Sequence, residues 1–114
     1  SKQESCVIYT HMGIVNIPFA KIECIEVYNK HLVFHLSDGS TKETRGALTD
    51  YENVFLERKE FLKIHRSYIL NMDYIHSIEA GEITTYSGKT FPVSRLLAKD
   101  IKEHYMNYMF TKEV

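Results

Sequence analysis

Arg58, Lys59, Lys63 and Arg66 fall within nine positions, opposed only by Glu60. Cations grouped in this way form either a solvated face or a seat for an anion. Arg66 closes the run Phe61-Leu62-Lys63-Ile64-His65-Arg66 and is followed by Ser67. A basic residue at a strand end is where a side chain leaves a sheet and becomes available to a partner. Arg95 is placed alike, after Pro92-Val93-Ser94, where a strand hands over to a helix. The helix dipole disfavours an arginine in the first turn, so Arg95 serves something other than stability there. Lys30 and His31 cap a hairpin. Three such tips on a rigid β scaffold can probe the edges of bases, while neighbouring lysines and backbone amides hold phosphates.

Other chemistries are weaker. His31 and His35 have a spacing that pairs imidazoles on a helix, but the intervening Leu-Val-Phe reads as strand. Four strand residues separate such side chains by roughly 13 Å, too far for one zinc with ligands about 2 Å away. His65 and Ser67 lack the glycines of a nucleophile elbow, and neither Cys6 nor Cys24 stands beside a histidine. Glu23, Glu26 and Glu79 are scattered, and the five glycines stand singly, so no acid/base pair or phosphate loop emerges. We therefore expect no enzyme, no metal site and no cofactor.

The elements that would carry these tips are short strands broken by turn residues. Strands are predicted over residues 6–10, 14–17, 24–28, 32–36, 41–44, 61–65, 74–79, 83–86 and 89–93. Asn29-Lys30-His31 reads as a three-residue hairpin connection, and Asp38-Gly39, Ala80-Gly81 and Ser87-Gly88 as turns. Residues 46–55 suggest one short connecting helix. Leu97, Ile101, Tyr105 and Tyr108 form one stripe of a C-terminal helix, with Ser94 as its N-cap. The fold class is thus mainly β and mostly antiparallel.

A length of 114 residues suits a single domain over residues 1–114, with a core of about 5–105. Apolar residues at 44% and charged residues at 25% match a globular chain rather than a disordered or fibrous one. No apolar run reaches the roughly 18 residues of a membrane span, so no membrane partner is expected. The two cysteines make neither a disulfide framework nor a zinc motif and suit a reducing, cytoplasmic setting. A net charge of −1 excludes a histone-like polycation but permits a local basic face. Charge is also uneven, with five Lys/Arg against seven Asp/Glu in residues 1–52 and nine against eight thereafter.

The segment Phe61-Leu62-Lys63-Ile64-His65-Arg66-Ser67-Tyr68-Ile69-Leu70-Asn71 resembles the central signature of the LytTR family, DNA-binding output domains of bacterial response regulators. Pro92-Val93-Ser94-Arg95 resembles its second signature. Ile22, Ile25 and Glu26, the segment Arg45-Gly46-Ala47-Leu48, and Ile75 with Ile78 agree in order and spacing over about residues 5–105. Lys63 stands where the family more often has arginine.

The resemblance implies stacked antiparallel β-sheets with one short connecting helix and a C-terminal helix, and loops inserted into successive major grooves of double-stranded DNA, bending it, for transcription regulation. By position it implies base contacts from Arg66, Arg95 and the hairpin residues Lys30 or His31. Lys63, Ser67 and Lys99 are expected on phosphates. It also implies a receiver domain preceding this module and pairing on tandem DNA sites. Alternatives stay open at this point. Arg66 or Arg95 could pair with Glu79 or Glu82, and His65 could turn inward to a backbone carbonyl. Asn71 suits a turn pinned by its amide. Ser67 could cap a short Tyr68-Ile69-Leu70 turn instead of touching phosphate. A single-stranded nucleic-acid binder would need Tyr28, Phe34 and Tyr86 on one open face. A protein- or ligand-interaction module would use the apolar tail around Tyr105, Met106, Tyr108, Met109 and Phe110.

Overall fold

The structure, a computed structural model, describes residues 4–112. Ten strands are present: β1 (Ser5–Thr10), β2 (Gly13–Pro18), β3 (Ile22–Tyr28), β4 (His31–Leu36), β5 (Thr41–Arg45), β6 (Phe61–His65), β7 (Tyr68–Asn71), β8 (Ile75–Glu79), β9 (Glu82–Thr85) and β10 (Thr90–Pro92). Two helices join them, the five-residue α1 (Glu52–Leu56) and α2 (Arg95–Lys112). All pairings are antiparallel, giving a β1-β2 ribbon, a five-stranded sheet in the order β5-β4-β3-β7-β6 and a three-stranded sheet β10-β9-β8.

The five-stranded sheet is the middle layer because its central strands are apolar on both faces. Ile22, Ile25, Leu32, Phe34 and Ile69 face one core, shared with Ile8 and Ile17 of the ribbon and Phe55 of α1. Cys24, Ile64 and Leu70 face the other, closed by Ile75, Ile83 and Phe91 of the small sheet and Ile101 of α2. Phe55 anchors the first core, its ring 4.9 Å from Phe61 and 5.3 Å from Phe19, both edge-on. β5 closes one edge with Lys42, Glu43 and Arg45 outward and only Thr44 buried, a composition that discourages further strand pairing.

The stacked antiparallel sheets, the short connecting helix and the C-terminal helix expected from the sequence are all present. Ser94 Oγ accepts the amide of Leu97 at 3.3 Å. Two local readings are corrected. Tyr68-Ile69-Leu70 is no turn but the heart of β7, paired with β3 on one side and β6 on the other. Burial on both faces removes the polar alternation that marks a half-exposed strand. The β3–β4 connection is two residues, not three: His31 pairs with Tyr28, and Asn29 (φ 51) and Lys30 (φ 63) make the left-handed turn whose twist matches the ladder. Among the described residues no helix is long and apolar enough to cross a membrane.

Candidate nucleic-acid interface

β7 runs antiparallel to β3 with Tyr68 opposite Glu26, so the β6–β7 turn lies at the same end of the large sheet as the β3–β4 turn. Arg66 and Ser67 form that β6–β7 turn, and three interactions fix it. His65 opposes Tyr68, the Ser67 amide donates to His65 Nδ1 at 3.1 Å, and the Ser67 carbonyl accepts from the Val27 amide at 2.9 Å. His65 is therefore exposed and accepts a hydrogen bond from the backbone, rather than turning inward to a carbonyl. Arg66 itself is exposed at this turn.

Arg95 opens α2 and is exposed. Its position is set from behind: the Val93 amide donates to the Gly81 carbonyl at 2.9 Å, and Phe91 is buried. The Phe91 ring lies 5.1 Å from Tyr68, and Tyr68 lies 5.6 Å from His65. A chain of three rings thus couples the Pro-Val-Ser-Arg corner to the His-Arg-Ser turn. Tyr68 also bonds Glu26, and burial together with that carboxylate pushes its phenol above the ordinary range, so it remains a neutral packing group. Glu26 is held in turn by His35 Nε2 at 2.9 Å.

Lys30 is exposed at the tip of its turn, whereas His31 is half-buried in the ladder. Lys99 lies one helical turn beyond Arg95, on the same exposed face of α2. Among the described residues no ion pair is made by Arg66, Arg95, Lys30 or Lys99, so pairing with Glu79 or Glu82 does not occur. Lys63 differs: its ammonium pairs with Glu52 of α1, away from the tips. Arg45 is a further exposed cation that the sequence reading does not single out. It is exposed opposite His31 in the β4–β5 ladder, at the same end of the sheet as Lys30. The Arg45-Gly46-Ala47-Leu48 match pointed at the helix start, and only strand register could have placed Arg45 there.

The arrangement suits contact with a polyanion and does not suit the single-strand platform. Phe34 is fully buried in the first core, and Tyr86 lies beside His76 on the small sheet, so these rings do not share an open face with Tyr28. Among the described residues no group of three or more His, Cys, Asp or Glu side chains could hold a metal.

Comparison with known proteins agrees with this fold. The family model of the LytTr DNA-binding domain matches residues 12–106. The sensory transduction protein LytT of Bacillus subtilis is 36% identical over 59 residues, 44% of this chain and 24% of that protein. An uncharacterized response regulatory protein of Yersinia pestis is 29% identical over 100 residues, 82% of this chain and 39% of that protein. The chain thus spans well under half the length of these relatives. A solved LytTr DNA-binding domain from Bacillus cereus superposes with a TM-score of 0.75 over 90% of this chain and 97% of that one, at 22% identity, a likeness of fold.

Proposed function

The chain belongs to the LytTr DNA-binding domain family, and from that premise we propose that it is a sequence-specific double-stranded DNA-binding domain regulating transcription as the output domain of a response regulator. Arg66 and Arg95 read base edges in successive major grooves, each guanidinium able to donate two bonds to guanine. Lys30 reads a third position from its hairpin, with His31 behind it. Ser67 and Lys99 hold phosphates and set register. Lys63 joins them only where a phosphate displaces Glu52. A receiver domain lies elsewhere in the intact protein, in the cytoplasm, and pairing on tandem sites follows from its state.

The observation that carries this reading is two exposed arginines, free of carboxylate partners among the described residues, on turns fixed by backbone bonds and linked through His65, Tyr68 and Phe91. Pre-set donors on stiff turns lose little entropy when they bind. The test is selection of duplexes from a random pool, followed by fluorescence anisotropy. Recovery of a motif, with preference for it relaxed at different base pairs in Arg66→Ala and Arg95→Ala, supports the reading. A folded domain that enriches nothing contradicts it.

The interaction reading of the C-terminal tail loses part of its basis. Tyr105 and Tyr108 pack on the second core, and the Tyr108 hydroxyl donates to Asp73 Oδ1 at 2.7 Å. Met106 and Phe110 remain exposed, and they would serve a contact between copies on DNA rather than replace DNA as the ligand.

A further inference from the structure

Beside the β3–β4 turn, the tip of the β1-β2 ribbon and the end of the β4-β5 ladder enclose a cleft of about 460 Å³. Its walls include Tyr9 and His11 from the ribbon, His31 from β4, and Glu43 and Arg45 from β5. His31 and Arg45 are directly opposed in the ladder, a pairing in which neither neutralises the other. Among the described residues Arg45 has no carboxylate partner, although Glu43 lies two positions away on the same strand. The backbone just past Arg45 is fixed, because the Gly46 amide donates to the Lys30 carbonyl at 3.2 Å. Gly46 has φ +150, and a Cβ there would sit 3.2 Å from Asp50 Oδ2, so this anchor depends on glycine. The cleft and the Lys30 tip are therefore one rigid unit.

We propose that this cleft is a phosphate-binding subsite for the DNA backbone, flanking the base read by Lys30, with Arg45 as its charged donor and His31 and His11 as lateral donors. The inference rests on the DNA-binding reading and extends the interface across β5 to the ribbon, beyond the three reading tips. A guanidinium presents a planar fork to phosphate oxygens, and the two imidazoles add neutral or charged N–H donors to the same oxygen cluster. Among the described residues Glu43 is the one acid in the wall, and it tempers the site, so its removal must strengthen binding.

The test uses the full chain, a duplex recovered from the random pool and a random-sequence duplex of equal length, with affinity measured by anisotropy from 50 to 200 mM salt. One phosphate contact changes the log–log salt slope by about 0.9, so Arg45→Ala should lose about three- to fourfold less affinity than wild type across that range. It should weaken both duplexes alike, Arg45→Lys should restore most of the slope, and Glu43→Gln should bind more tightly than wild type. An Arg45→Ala protein of unchanged thermal midpoint and unchanged slope, beside a wild type that binds, overturns the subsite and leaves the DNA-binding reading standing. A loss confined to particular base pairs overturns the phosphate assignment. A wild type that binds neither duplex overturns both readings together.

Discussion

Glu23 is 1% exposed, at the point where β3 slips register between Ile22 and Cys24. Ser87 donates to its Oε1 at 2.6 Å, and Lys89 stands 3.4 Å from Oε2, long for a hydrogen bond but close enough to neutralise the charge. These two residues flank Gly88 in the β9–β10 turn, so one carboxylate fastens the small sheet to the large one. Lys89→Met should leave that buried charge with only the Ser87 hydrogen bond and cost about 1–3 kcal/mol in urea unfolding, with Glu23→Gln in the same chain recovering part. Beside it, burial and the Glu23 charge push the Cys24 thiol from 9.0 up to about 12. Below pH 9 both folded and unfolded chains hold this proton. Above it only the unfolded chain releases it, so the contribution to stability is lost as pH rises from about 9 to 12, by up to about 1.4 kcal/mol per unit. Burial shifts Cys6 the same way. Denaturation series across that range should therefore show falling midpoints, and a Cys24→Ala chain a shallower fall. None of this was legible in sequence, where Glu23 looks like one more scattered acid, because the bulge that turns it inward depends on pairing with two strands. Asn71 was legible: it pins a turn through the Asp73 amide at 2.9 Å, while its Nδ2 donates to the Ile22 carbonyl at 3.0 Å across the sheet.

At the scale of the element, what the sequence shows depends on whether a strand has one buried face or two. β1 and β2 were readable from β-branched and aromatic residues bounded by Met12-Gly13 and Pro18, as were the turns marked by glycine. β7 has no charged or amide side chain before Asn71 and reads as a turn in sequence, although it lies between β3 and β6. The β3–β4 hairpin carries a sharper lesson. Its two turn residues are left-handed, a geometry that favours Asn-Gly, yet the second is Lys30 with φ 63. A lysine there costs about 1 kcal/mol against glycine, and strain retained at an exposed tip suits the base-reading role proposed for Lys30. Lys30→Gly should accordingly raise stability by up to about 1 kcal/mol while weakening DNA binding. Paired urea curves and anisotropy would read both, and a chain that gains stability without losing affinity would remove Lys30 from the interface. The helix α1 is only five residues long, so packing rather than propensity holds it, through Phe55. Phe55→Ala should cost about 3–5 kcal/mol, read as a lowered urea midpoint.

For the whole molecule, a mostly antiparallel β domain was legible from short strands, single glycines and one amphipathic C-terminal stripe, whereas the stacking of its sheets was legible through resemblance alone. The linkage of the Arg66 turn to the Arg95 corner through packed rings was not legible. Their 29-position separation carries no local signal, and the ring chain from His65 to Phe91 exists only after the small sheet docks on the large one. A net charge of −1 means that non-specific attraction is modest, so discrimination must come from the tips and from DNA deformability. The central claim is that these turns read bases rather than merely holding a polyanion. It is tested most directly by a double-mutant cycle between Arg95→Ala and substitution of the base pair at which that variant loses preference in the selected motif. Base reading predicts that the two losses are not additive, with a coupling of about 1–3 kcal/mol and the variant indifferent to the base change. Fully additive losses, with Arg95→Ala weakening every duplex alike, would contradict it and leave Arg95 a phosphate contact.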